Sequence, residues 1–295
     1  MQLLRVQPIV YHFKDKVEYY EVLNEPETPL PGSWVEVPDY VNLVKRTVAV
    51  IREEYPEAKI VAAATSDLEY LFGVLQSDVM PLVDAVSWHP IYGQSPEYKP
   101  EYYYSYPSII QEIKDVAWSH GFRGEFIADE LSWRTPLNPI SDQPMYNEIV
   151  CAKYHARGIV LHLGMNVSVS LGITSSLPVC YTTIQNLCTI MSGAEPISLP
   201  IEIQSEATNI MNYSFSLSNG DNLIALWTDG VAEIEDLGVK ANLTIYGFTA
   251  QDVIGIDVLN GFEQPIIISN ENGNLVIQNL IVKDYPLMLH IIKPG

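Results

Sequence analysis

The chain has 295 residues and a formal net charge of −20, from 36 Asp and Glu against 16 Lys and Arg. That balance argues against binding the phosphate backbone of nucleic acids or an anionic membrane, and fits solubility and a neutral or uncharged ligand. With 47 % apolar and 18 % charged residues, the composition is globular, and the length holds one large domain or two smaller ones. No run approaches the ~20 apolar residues of a membrane span. The opening MQLLRVQPIVYHFKDK does not read as a signal peptide, because Arg5, Gln7 and Pro8 break its apolar positions, and in a truncated chain this says nothing of localisation.

In chain order, residues 1–16 read as the end of a helix and 17–24 as a strand. A Pro-rich loop, TPLPGSWVEVP, leads to a helix from Asp39 to about Tyr55. Its face is Val41, Val44, Val48, Ile51 and Tyr55, at spacings of three and four. KIVAAAT at 59–65 is a continuous apolar run, suited to a strand covered on both faces. Ser66 and Glu69 predict a capping box for the helix that follows. Strands are expected at 83–92, 124–130 and 164–173, with helices at 107–120, 143–163 and 182–193. Strand and helix alternate through about 180 residues, which is the signature of a parallel α/β domain.

Near residue 195 the texture changes. From 200 to 295 short β runs dominate: NYSFSLS, NLIALWTD, NLTIYGF, DVIGIDVL, QPIIIS, NLVIQNL and PLMLHII. Turn signals lie at 219–221, 260–261 and 272–274. The pattern predicts an antiparallel, sandwich-like module. Cys151, Cys180 and Cys188 show no metal-ligand spacing and cannot all pair within the chain, so all three are expected as small buried apolar groups.

Two apolar runs end in a carboxylate: YYEVLNEPE carries Glu25, and EFIADELSW carries Glu130. In parallel α/β sheets the chemistry sits at the carboxyl ends of strands. Two carboxylates placed there suit the cleavage of a sugar acetal, one protonating the leaving oxygen and the other attacking the anomeric carbon. Asn24 is placed to hydrogen-bond a sugar hydroxyl. Asp129 precedes Glu130 and in a regular strand would face the other way, so either acid is a candidate for the inward one. Trp133 is a candidate apolar wall for a pyranose, or else a packed loop tryptophan. The stretch PEYKPEYYYSYP at 96–107, with five tyrosines, reads as a loop at the rim that offers outer subsites or a packed lid.

These residues resemble clan A of the retaining glycoside hydrolases. NEP ends one strand and a Glu ends the strand three later, where the clan carries its acid/base on the fourth barrel strand and its nucleophile on the seventh. WHPIYG at 88–93 is similar to the sixth-strand His and Tyr of the clan. The resemblance implies Glu25 as acid/base and Glu130 as nucleophile. It makes His89 a partner of a sugar hydroxyl and Tyr92 the group that holds the nucleophile. The trailing β module resembles family 39, the β-xylosidase and iduronidase group. The fold class expected is α/β plus all-β: a partial (β/α)8 TIM barrel, about its last five units, followed by an antiparallel β-sandwich. The expected domains are 1–198 and 199–295. A full barrel has eight units, so the chain is expected to be an amino-terminally truncated form, without the clan residues of the earlier strands. The strand at 164–173 also lacks the tryptophan that often floors the sugar site.

The implied mechanism keeps Glu25 protonated and Glu130 ionised, passes through a covalent glycosyl-enzyme, and needs carboxyls ~5–5.5 Å apart. It requires no metal or organic cofactor. The expected partner is a carbohydrate substrate, with no nucleic acid and no membrane. The alternative is a non-catalytic carbohydrate-binding remnant or an inactive fragment of a glycosidase. Localisation, secreted or cytoplasmic, is left open; Asn-x-Ser/Thr triplets at Asn166, Asn212 and Asn242 are compatible with secretion.

Overall fold

The computed structural model describes residues 3–28, 34–92, 94–136, 144–172 and 177–294, with backbone alone for 3–5, 91 and 92. The elements run α1 (Leu3–Phe13), β1 (Tyr19–Glu21), α2 (Val37–Glu54), β2 (Lys59–Thr65), α3 (Leu68–Leu75), β3 (Ala85–Trp88) and β4 (Ile91–Tyr92). Then come α4 (Pro100–Ser119), β5 (Glu125–Ser132), α5 (Glu148–Gly164), β6 (Ser168–Leu171) and α6 (Pro178–Ile190). Short strands follow: β7 (Glu195–Ile197), β8 (Ile201–Ser205), β9 (Ile210–Ser216), β10 (Asn222–Thr228) and β11 (Val239–Ile245). The last are β12 (Asp252–Asp257), β13 (Phe262–Pro265), β14 (Ile268–Glu271), β15 (Asn274–Val282) and β16 (Leu287–Ile292). No described helix is long and apolar enough to cross a membrane.

The chain divides into two compact units. The first comprises Met1–Pro90, Ser105–Leu131 and Val167–Leu171. Its frame is a parallel sheet in the order β1-β2-β3-β5-β6, a five-stranded part of a barrel. β2 is buried along six of its seven residues, as a strand covered on both faces must be. α2 buries Tyr40, Val41, Val44, Thr47, Val48 and Ile51, the face its spacing predicts with Tyr40 and Thr47 added and with Tyr55 half-buried just past the helix. Each such aliphatic side chain, fully buried, contributes about 1.5–3 kcal/mol.

The second unit comprises Ile91–Tyr104, Ser132–Asn166 and Gly172–Gly295. Two antiparallel sheets, β13-β12-β16-β10-β9-β7 and β14-β15-β11-β8, share one core. Ile224, Leu226, Leu289 and Ile291 of the first sheet meet Leu243, Ile245, Leu275 and Ile277 of the second, which makes a β-sandwich. α5 is buried nearly all round and buries two cations with it. Lys153 Nζ donates to Asp284 Oδ1 at 2.7 Å and Glu233 O at 2.6 Å, and Arg157 Nε donates to Asp284 O at 2.7 Å. Gly164 is required there, since a Cβ would stand 2.2 Å from Tyr213 Cδ1.

Several local expectations are corrected. The cap of α3 is Asp67, which accepts from Tyr70 N, so the Ser66/Glu69 box does not form; Ser66 is held instead by Glu27. The tyrosine-rich segment is helical from Pro100, because Pro is compatible with a first turn and Pro107 is accommodated inside the helix. Tyr106 is buried and accepts from Trp88 Nε1 at 3.0 Å, and Tyr103 donates to Asp229 at 2.7 Å; Tyr98 and Tyr104 stay exposed. The run 83–92 is split at His89–Pro90, where proline offers no N–H to a ladder. QPIIIS is likewise shared between β13 and β14, in different sheets. Cys151 and Cys180 are buried, but Cys188 is exposed.

Candidate active site

The first unit gathers its carboxylates where β1, β2, β3 and β5 end. Beyond β1 the chain leaves extended geometry: Leu23 and Glu25 have φ of 65° and 44°. In β2, Ala63 and Ala64 have φ of 87° and 46°, at a bulge that shifts the register to β3. Left-handed conformations in residues with side chains cost about 1–3 kcal/mol each and persist only where the surroundings hold them. Tyr40 supplies part of that hold. Its fully buried hydroxyl donates to Val22 O and accepts from Ala63 N, both at 2.9 Å. Ala64 O then accepts the Glu25 N–H at 2.9 Å, so the bulge fixes the Glu25 backbone.

The Glu25 side chain has two named partners. Thr28 Oγ1 donates to its Oε2 at 3.0 Å, and His89 Nδ1 lies 3.0 Å from its Oε1. His89 follows β3, its N–H bonded to Thr65 O at 2.9 Å and its side chain 0 % exposed. The Nε2 of the same ring lies 3.5 Å from Asp129 Oδ1 and 3.8 Å from Glu130 Oε1. One donor atom each of Glu25, His89 and Glu130 lie within 4.8 Å of one another. Such a set of two carboxylates and an imidazole also has the composition to hold a divalent cation.

Asp129 and Glu130 both approach His89, although neighbours in a regular strand face opposite ways. The register between β5 and β6 shifts between Ala128 and Leu131, and this irregularity brings both acids to one imidazole. Their environments then differ. Glu130 is about half exposed, at 47 % of its side chain, against 17 % for Asp129. Burial, a hydrogen bond to Glu21 and the charge of Glu21 push the Asp129 acid up to about 8, against a pull downward from Ser87. Ser87 Oγ, fully buried on β3, also donates to Glu21 Oε2 at 3.3 Å. Glu21, Ser87, Thr28 and Tyr40 were not singled out by sequence reading. Ser87 lies in a fully buried β3 without alternation, and Glu21 is on a different strand, so no spacing signal joins them.

The other predicted site residues are placed differently. Asn24 is exposed just before Glu25. Tyr92 lies in β4 of the second unit, and its side chain is outside the described residues. Trp133 corrects an expectation: it is only 4 % exposed and is a packing element of the second unit. It stacks on Tyr154 at 5.8 Å, meets His155 edge-on at 5.0 Å and donates from Nε1 to Gln94 O at 2.8 Å, which leaves no open face for a sugar. A groove of about 1170 Å³ in the second unit, bordered by Asp257, Phe262 and Tyr285, holds none of the paired acids.

By sequence, no family model and no curated protein matches the chain. Solved structures do match it. A family 39 glycoside hydrolase from Bacteroides cellulosilyticus WH2 is similar with a TM-score of 0.64 at 16 % identity, over 98 % of this chain and 61 % of that one. A GH51 α-L-arabinofuranosidase from Thermotoga petrophila RKU-1 is similar with a TM-score of 0.65 at 13 % identity, over 97 % and 72 %. The catalytic domain of GH30 xylanase C from Talaromyces cellulolyticus is similar with a TM-score of 0.61 at 8 % identity, over 99 % and 66 %. The fold is therefore that of the clan A glycoside hydrolases, a partial barrel and a β-sandwich. The chain spans less than two thirds of the length of the family 39 enzyme.

Proposed function

We propose that this protein hydrolyses O-glycosidic bonds in a β-linked glycan or oligosaccharide by a retaining double displacement. The observation that carries the reading is the approach of Glu25 and Glu130 to within 4.8 Å, on either side of His89. Retaining glycosidases hold their two carboxyls ~5–5.5 Å apart, whereas inverting enzymes need ~6.5–9.5 Å to admit a water.

In this mechanism Glu25 protonates the leaving oxygen while Glu130, the more exposed acid, attacks the anomeric carbon. The acetal C–O bond breaks as the C–O bond to Glu130 forms. Glu25, now ionised, takes a proton from water, which displaces Glu130 with a second inversion. His89 holds the Glu25 carboxyl through Nδ1 and presents Nε2 toward the nucleophile. Asp129 keeps its proton at neutral pH, so it adds no second negative charge beside Glu130. Asn24, exposed next to Glu25, is assigned to a sugar hydroxyl.

The structural neighbours carry names that include α-L-arabinofuranosidase and xylanase, so the substrate panel has to span both sugar types. The test is hydrolysis of aryl β-xylosides, β-glucosides and α-L-arabinofuranosides by the wild type, Glu25→Ala and Glu130→Ala. Activity lost in Glu130→Ala, with azide restoring turnover to an inverted glycosyl azide, supports the assignment. A well-folded wild type that turns over none of them, but binds the corresponding oligosaccharides, would instead favour the carbohydrate-binding remnant.

A further inference from the structure

The second unit contains a cluster unrelated to the paired acids. Cys151 and His155 lie four residues apart on one face of α5, and Cys180 lies in the first turn of α6. The two Sγ atoms and one ring nitrogen of His155 all lie within 4.8 Å of one another, and all three residues are buried. Cys151 Sγ is 3.5 Å from His155 Nδ1. We propose that Cys151, His155 and Cys180 form a binding site for a thiophilic metal ion, zinc(II) being the species that fits best.

Three features argue for it. Ligand atoms around a tetrahedral zinc, with Zn–S near 2.3 Å and Zn–N near 2.0–2.1 Å, stand roughly 3.5–3.8 Å apart, so this cluster needs only small adjustments. His155 is held as zinc-binding histidines are: Nδ1 bonds the Cys151 carbonyl at 2.8 Å, which fixes the ring and leaves the lone pair on Nε2. That Nε2 is buried, in a residue 1 % exposed, and makes no well-aligned hydrogen bond among the described residues, the Cys180 thiol being the ring's polar neighbour. A buried acceptor without a well-aligned donor is costly, and a cation satisfies it.

Charge selects the ion. On binding, the two thiols release their protons to solvent, and two thiolates with a neutral imidazole cancel a divalent charge, which suits a buried site whose fourth tetrahedral position is left to a water. The thiols now lean on main-chain carbonyls, Cys151 Sγ on Trp133 O at 3.3 Å and Cys180 Sγ on Glu148 O at 3.6 Å. An ion at this point joins α5 to α6, the two helices that carry the ligands.

The experiment titrates the reduced, chelator-treated protein with cobalt(II), then with zinc(II). One cobalt per chain, a sulfur-to-cobalt charge-transfer band in the near ultraviolet, and its loss on adding zinc are expected. Cys151→Ala and Cys180→Ala should abolish the band and weaken zinc binding by more than the ~10–100-fold that outer-shell partners are worth. Cys188→Ala, at an exposed position, should leave it intact. Far-ultraviolet circular dichroism establishes that each variant is folded, and Cys180→Ser replaces any Ala variant that is not. A folded, reduced wild type without the band overturns the proposal, as does a band that survives loss of both Cys151 and Cys180.

Discussion

Glu25 Oε1 lies 3.0 Å from His89 Nδ1, and this contact links the end of β1 to the end of β3. The two residues are 64 positions apart in the chain. They meet because a bulge at Ala63–Ala64 turns the intervening strand and hands its carbonyl to Glu25. The imidazole therefore acts as a positioning group for one acid while its far edge faces the other two.

His89→Ala should lower kcat by roughly 10²-fold or more, the lower end of what positioned acid–base chemistry contributes. His89→Gln, which keeps a donor at similar reach, should recover part of that loss. Steady-state kinetics on an aryl glycoside, with thermal unfolding to establish that both variants are folded, separates the two. Equal kcat in wild type and His89→Ala would remove His89 from the machinery.

Tyr40→Phe deletes one hydroxyl that satisfies both Val22 O and Ala63 N in a fully buried place. Leaving those groups without partners should cost about 1–3 kcal/mol in denaturant unfolding. Activity should fall further than the stability loss accounts for, because the bulge beneath Glu25 loosens. A variant as stable and as active as wild type would show that the strained backbone is held by other contacts.

The acid of Asp129 stands at about 8 in the folded chain against an ordinary value of 3.8. Between those values the folded state holds a proton that the unfolded state has released. This group's contribution is thus fully present below about pH 3.8 and is lost as pH rises toward 8. Asp129→Asn removes that dependence. The variant should gain steadily on wild type as pH rises through the window. Thermal unfolding from pH 4 to 9 reads it, and a gap that stays constant would mean that the Asp129 acid is not raised in the folded chain.

Lys153 and Asp284 form an ion pair with side chains 2 % and 7 % exposed. Asp284→Ala leaves the ammonium buried with one carbonyl partner and should destabilise the second unit by about 3–5 kcal/mol. Lys153→Met with Asp284→Leu, which removes both charges, should be far less damaging. If the single and double variants unfold alike, the charge of Lys153 is not what the site has to balance.

The order of strands and helices through α6 follows from sequence period alone, because apolar spacing of three and four, or continuous apolar runs, reports which faces must be covered. The antiparallel runs after residue 200 follow in the same way; IEIQS, β8, is not among them, because although it alternates with period two the run is only five residues long. Glu25 and Glu130 were also evident, since a carboxylate that ends an apolar run is a local pattern. What only the tertiary structure decided is how these acids face each other. The left-handed turn at Glu25, the bulge in β2 and the register shift in β5 are backbone departures forced by neighbouring strands, and no residue type announces them. Burial decided the rest: it made Trp133 a packing residue, gave Asp129 a proton at neutral pH, and brought Cys180 to the Cys151–His155 face from 25 positions further along the chain. Sequence period reports what each element must cover, while the meeting of distant side chains depends on how several elements settle against one another.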